Sequence, residues 1–195
     1  MLPNHATQTD PYLHECKGAS TATAGQVLTA TGSGTATFQS PATGGSGSVV
    51  KTQTTLGTTT LTGTTLIPFD NTIPQSTEGT NFFSVAFTPS AIGNLIRIET
   101  TIYGAYSVAA HVTAALFQDS TANALAAVAA QTTTTNQDVN LTLVYQFTAS
   151  STSATTLKLN VGGSTAGTFT MNGSAGTATF GGVATSSFRI TEIKA

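Results

Sequence analysis

The chain has 195 residues, a formal charge of −2 and only 7% charged side chains, where ordinary soluble domains carry about a quarter. Its basic residues are scattered at Lys17, Lys51, Arg97, Lys158, Arg189 and Lys194, so no basic track exists for a phosphate backbone and nucleic acid is excluded as a partner. The most apolar run, ALAAVAAQ at 124–131, falls far short of the ~20 residues of a helical membrane span.

Threonine alone supplies roughly a fifth of the chain. Hydroxyls keep the surface polar without charge, and the branched Cβ of Thr suits a pleated surface better than a helix. The composition therefore reads all-β. The N-terminal run MLPNHATQTD lacks the basic start and apolar centre of a secretory signal, so assembly in the cytoplasm is expected. Cys16 stands alone, which leaves either a reduced thiol or a bridge to a different chain.

Residues 1–48 carry no periodic apolar pattern long enough for a core strand pair or a helix. They open with the polar patch DPYLHECKG at 10–18 and close on SPATGGSGS at 40–48, which has the composition of a linker. Between these, AGQVLTATGSGTATFQ offers two apolar spots, Val27-Leu28 and Phe38, around the turn-forming TGSG. That is too little buried area to offset the entropy of ordering. If this segment is ordered, it must borrow a core from a copy of itself or from another protein.

From Val49 the pattern changes. VVKTQTTL reads as a first strand, and Pro68 and Pro74 then favour an extended path with turns over a central strand. NFFSVAFTP alternates Phe83, Val85 and Phe87 until Pro89, and NLIRIETTIYG alternates Ile96, Ile98, Thr100 and Ile102 against Arg97, Glu99 and Thr101. That period of two marks half-buried strands. In YSVAAHVTAALFQDS, Val108, Ala110, Val112, Ala114 and Leu116 share one face while Ala109, His111, Thr113, Ala115 and Phe117 share the other. ALAAVAAQT reads as a strand by its company. DVNLTLVYQFTAS alternates most cleanly, through Val139, Leu141, Leu143, Tyr145 and Phe147, and TTLKLNVGG repeats the pattern with Leu157, Leu159 and Val161. GTFTMNGSAGTATFGG predicts a hairpin around NGSAG, and SSFRITEIK closes the series. About eight to ten short strands with tight turns predict an antiparallel β-sandwich of jelly-roll type, with no helix required. The expected layout is an extended N-terminal segment at 1–24, a Gly/Thr-rich stalk and linker at 25–48, and the jelly-roll head at 49–195.

Chemistry is sparse. His5 and His14 lie in the coreless segment, and His111 sits mid-strand among alanines, where a packed histidine is expected rather than a general base. The carboxylates Asp70, Glu78, Glu99, Asp119, Asp138 and Glu192 show no spacing that implies a hydrolytic pair, and most adjoin turns. No pair of ligand pairs suggests zinc, and the Gly-rich runs lack the Lys and the strand-to-helix setting of a phosphate loop. No catalytic residue, metal or cofactor is expected, so the chain reads as a non-enzyme.

Two stretches carry a resemblance. GQVLTATGSGTATFQSP is similar to short modules near the bases and shafts of tailed-bacteriophage fibre proteins. Asp70, Thr72, Ile73, Pro74, Gln75, Thr77, Glu78 and Gly79 resemble a distinctive run that precedes the first long strand of their C-terminal heads. The ending SSFRITEIKA also looks like the terminal strand of such heads. The likeness spans most of residues 25–195 and implies a homotrimer with a jelly-roll head on the exterior surface of a virion. It implies no catalytic residues. Almost no shaft fits between Gln39 and Val49, which favours a short spike on a capsid or tail structure over a long fibre.

Two functional expectations follow. In the first, the chain is a structural virion protein, a short head fibre or capsid-decoration spike. Residues 1–24 dock on a phage capsid or tail protein, with Tyr12 and Leu13 as apolar anchors and His14, Glu15 and Lys17 as hydrogen-bonding groups. In the alternative, it is a tail-fibre tip whose head grips host surface glycan, with Tyr103 and Tyr106 as the aromatic candidates. The Ala-rich strands are expected to leave small-residue faces suited to subunit contact.

Overall fold

The computed structural model describes residues 22–32, 35–40 and 44–195. Tyr12, Leu13, His14, Glu15, Cys16 and Lys17 lie outside the described residues, as do His5 and the rest of the proposed docking segment before residue 22. The chain divides into two units, Met1–Gly45 and Ser46–Ala195.

In the first unit, β1 (Val27–Gly32) and β2 (Thr35–Gln39) form an antiparallel pair. No strand pair is expected there from apolar periodicity, yet the two apolar spots are placed symmetrically about the turn residues. Leu28 thus falls directly opposite Phe38, a cross-strand contact worth a few tenths to ~1 kcal/mol. The pair buries little: Val27 and Leu28 are 49% and 45% exposed.

The second unit holds β3 (Val49–Gly57), β4 (Leu61–Gly63), β5 (Thr80–Phe87), β6 (Leu95–Tyr106), β7 (Ala110–Gln118), β8 (Ala126–Thr132), β9 (Gln137–Thr148), β10 (Thr155–Gly163), β11 (Phe169–Met171), β12 (Gly173–Ser174), β13 (Thr177–Ala178) and β14 (Ser186–Ile193). Its pairings are nested. β3 pairs with β14, β5 with β10, β6 with β9 and β7 with β8, all antiparallel. This is one long hairpin rolled up, which places β3-β14-β6-β9 in one sheet and β5-β10-β7-β8 in the other. The jelly-roll sandwich expected from the alternation is therefore the observed fold. One edge of β6 is paired along its length by β9, while the other is shared between β14 and then β11, which in turn carries β4. β12 and β13 form the small hairpin expected at NGSAG, closed through Ala175 and Gly176 with φ of 50° and 78°.

The predicted alternation fills the space between the sheets. Phe83, Val85 and Phe87, Ile96, Ile98 and Ile102, Leu141 and Leu143, Leu157 and Leu159, and Phe188 and Ile190 form one buried cluster. At ~25 cal/mol per Å² of apolar surface removed from water, such a cluster is the main term holding the sheets together.

The β4–β5 connection, residues 64–79, corrects the expectation of a free small-residue face on β7. Ile67 is fully buried against Ala115, Phe117 and Ala124, on the face of β7 turned away from the sandwich core. The connection is tied down by Ile67 N donating to Gly163 O (3.1 Å), Gly79 N to Leu66 O (2.9 Å), Ser76 N to Ala122 O (2.7 Å) and Ala124 N to Pro74 O (2.9 Å). It crosses β10 so closely that a Cβ on Gly162 would come within 2.4 Å of Thr65 O. β7 is thus covered on both faces by its own chain, and the exposed small residues of the neighbouring strand are Ala127 and Ala129 on β8. Replacement Ile67→Ala empties the second apolar cluster and is expected to cost about 2–5 kcal/mol in a chemical-denaturation series, with earlier proteolysis between residues 64 and 79 than elsewhere in the head.

Candidate binding surfaces

The two tyrosines singled out in the sequence fall on opposite faces, because they stand an odd three positions apart on β6. Tyr106 points inward and is 1% exposed. Its hydroxyl donates to Thr165 O at 2.6 Å, and burial pushes its pKa up. It is a core residue and offers no platform to a ligand, which corrects the expected pair. Tyr103 points outward, and its aromatic partner is instead Phe180, with ring centroids 6.0 Å apart and planes inclined by 30°.

Phe180 is 71% exposed and opens a 3-10 turn at Phe180–Gly182 with φ of 51°, 66° and 91° at Phe180, Gly181 and Gly182. The left-handed conformation suits the two glycines, but costs a bulky side chain ~1–2 kcal/mol. An apolar ring is therefore held in solvent on a strained backbone. Across the sheet, exposed Asn140 lies opposite Tyr103, and exposed Asp138 follows two residues away on the same face. Val183, even more open than Phe180, extends the apolar surface.

On the outer face of the opposite sheet lies a polar recess of about 540 Å³, lined by Ser76, Asn81, Ser84, Lys158, Asn160 and the Asp119–Ser120 turn, with buried Phe117 beneath. The tied-down 64–79 connection forms one wall. Asn160 Nδ2 donates to Glu78 O (2.8 Å), and Asn81 Nδ2 donates to Asn160 Oδ1 (3.0 Å) and Phe83 O (2.8 Å). The register irregularity between Leu159 and Asn160 brings Asn160 opposite Asn81. Asp119 adopts φ of 52°, which Asp tolerates better than most residues. It turns its carboxylate to Thr155 Oγ1 (2.8 Å) and Thr156 N (2.7 Å), while its carbonyl accepts from Lys158 Nζ (2.8 Å).

His111 behaves as the packed strand histidine expected. Its ring stacks on Phe69 at 3.8 Å with planes 2° apart. Of the carboxylates, Glu192 departs most from a turn role. It is fully buried and accepts from Ser90 N (2.8 Å), Ser90 Oγ (2.7 Å) and Asn94 Nδ2 (2.8 Å), with Lys51 Nζ 3.7 Å from its other oxygen. Burial alone would raise its pKa, but these donors outweigh it and hold the carboxyl below the ordinary glutamate value. Among the described residues no three His, Cys, Asp or Glu side chains gather as a metal site, and no helix is long and apolar enough to cross a membrane.

No protein-family model matches the chain, and no curated protein matches it. Solved structures give weak likenesses. The C-terminal domain of EclA, a sugar-binding protein, shares 16% identity over 74% of this chain and 78% of its own, with a TM-score of 0.31. Dimeric latent PorU from Porphyromonas gingivalis gives 11% identity and a TM-score of 0.35 over 77% of this chain and 14% of that one. The VP2 subviral particle of infectious bursal disease virus gives 12% and 0.32 over 85% of this chain and 36% of that one. Similarity at this level assigns neither ligand nor partner to the chain.

Because the folded-state pKa of Glu192 is depressed, its contribution to stability is complete above the ordinary glutamate value of 4.5 and is lost as pH falls through the depressed value. A Glu192→Gln variant should lose about 1–2 kcal/mol at neutral pH. It should also show a shallower fall in stability below pH 4.5 than the parent when denaturation midpoints are followed into acid.

Proposed function

We propose that this chain is a non-enzymatic structural protein of a phage virion, a short homotrimeric head fibre or capsid-decoration spike held by its N-terminal segment. The observation that carries this reading is the β1–β2 pair, whose Val27 and Leu28 face solvent while the head has a closed core of its own. An isolated two-stranded hairpin is marginal in water. Assembly with further copies would give those side chains the cover that one chain lacks. Three N-terminal segments on one assembly would then bind a particle surface with an avidity well above that of each alone. The resemblance of the Asp70–Gly79 run and of the closing strand to phage fibre heads points the same way.

Sedimentation equilibrium of the full chain should return three times the 19.7 kDa mass of one chain. Deletion of residues 1–24 should leave the head's unfolding transition in place and abolish co-purification with particles. A monomer, or normal incorporation of the truncated protein, overturns the reading.

A second reading, host-glycan binding, is favoured by exposed Phe180 packed on half-buried Tyr103, beside Asn140 and Asp138. Aromatic faces take the apolar face of a sugar ring, and adjacent amide and carboxylate groups take its hydroxyls. On a glycan array, Tyr103→Ala and Phe180→Ala should each remove binding while leaving the unfolding midpoint within about 0.5 kcal/mol of the parent. Array signal that survives both substitutions sets this reading aside.

A further inference from the structure

We propose that the recess around Lys158 is a separate binding site for a carboxylated sugar, with Lys158 taking the carboxylate and the flanking Ser and Asn side chains taking hydroxyls. This goes beyond the second reading above, since the recess lies on the opposite sheet from Tyr103 and Phe180 and shares no residue with them.

The charge comes first. Lys158 Nζ is held by a neutral group, the Asp119 carbonyl, at 2.8 Å, and among the described residues its ammonium is in neither ion pair. Neither the carboxylate of Asp119, which lines the recess, nor that of Glu78, in the wall segment, is ion-paired with it. Asp119 uses both oxygens on Thr155 and Thr156, and Glu78 accepts from Gln75 N at 2.8 Å. An ammonium has three N–H donors, so two remain for a ligand. One cation suits a singly charged carboxylate and not a polyphosphate.

The remaining groups fix the class of the neutral part. Ser76, Ser84 and Ser120 offer hydroxyls, and Asn81 keeps its carbonyl as an acceptor once its amide nitrogen is committed to Phe83 and Asn160. Phe117 is buried under the recess and presents no open ring. Donors and acceptors without an aromatic platform fit a polyol and not a planar heterocycle. A volume of about 540 Å³ lies within the ~300–1,000 Å³ usual for small-ligand sites. The wall is also set in advance. Gly79, at φ of 69°, sits where a Cβ would come within 2.8 Å of Ile67, and Asn160 grips Glu78 O. Little ordering is left to oppose binding.

The test uses the full chain, isotopically labelled and titrated with glucuronic acid, glucose and acetate by NMR. Glucuronic acid should shift resonances of Lys158, Asn81 and Ser84 and bind at least about tenfold more tightly than glucose or acetate, the minimum expected of one charge-assisted contact. Lys158→Met should abolish that preference, Lys158→Arg should retain part of it, and added salt should weaken it. Lys158 is only half-buried, so the Met variant keeps the fold, checked by its unchanged spectrum elsewhere. Equal response to the three probes, no response to any, or full binding by Lys158→Met overturns the proposal. Tyr103→Ala should leave glucuronic acid binding intact. Loss there with retention in Lys158→Met would move the sugar site to the Tyr103 surface and reject the recess.

Discussion

The burial of Ile67 against Ala115 and Phe117 is the contact on which the exposed chemistry of this head depends. The inter-sheet core would close without it, because the alternating residues of the strands already fill that space. What Ile67 adds is a second apolar contact on the far side of β7, which converts residues 64–79 from a long surface connection into a wall. A connection of this length without secondary structure is uncommon unless it is packed or functional. Here packing sets function's stage: the same wall bounds the Lys158 recess and places Phe69 flat on His111.

Much of the architecture was legible because nearly every strand obeys one period. Phe83, Val85 and Phe87 or Leu157, Leu159 and Val161 face one way, so the inner faces could be assigned from spacing alone. The double burial of β7 was not legible in the same manner. Its two faces carry Val112, Ala114 and Leu116 on one side and Thr113, Ala115 and Phe117 on the other, and small residues on a second face signal close approach without saying of what. The partner turned out to be a Pro-rich connection of the same chain, whose one fully buried side chain, Ile67, sits between exposed Leu66 and Pro68. Apolar content alone could not separate it from its neighbours.

The binding residues divide along a similar line. Side-chain parity on β6 sets Tyr106 on the Ile102 face and Tyr103 on the Arg97 face, so the alternation alone is enough to split the pair. Phe180 is different, since its place beside Tyr103 depends on a left-handed turn built by Phe180, Gly181 and Gly182. Lys158 was visible only as one of six scattered cations. Its significance comes from Asp119, whose positive φ aims a carbonyl at the ammonium and its carboxylate elsewhere.

That arrangement is informative because the chain is so poor in charge. With 7% charged residues, long-range fields contribute little to its encounters, and affinity must come from short-range contacts. Two of its described cations are spent locally: Lys51 reaches Glu192 and the Thr88 carbonyl, and Arg97 meets Glu99 at 2.9 Å. A surface of Thr, Ser and Asn on a rigid sandwich presents hydroxyls and amides at spacings set by the sheet, which discriminates by hydrogen-bond geometry and not by potential. On such a surface an ammonium held by a carbonyl and not by a carboxylate is a strong local signal. It carries weight in recognition because the neutral groups around it are already fixed.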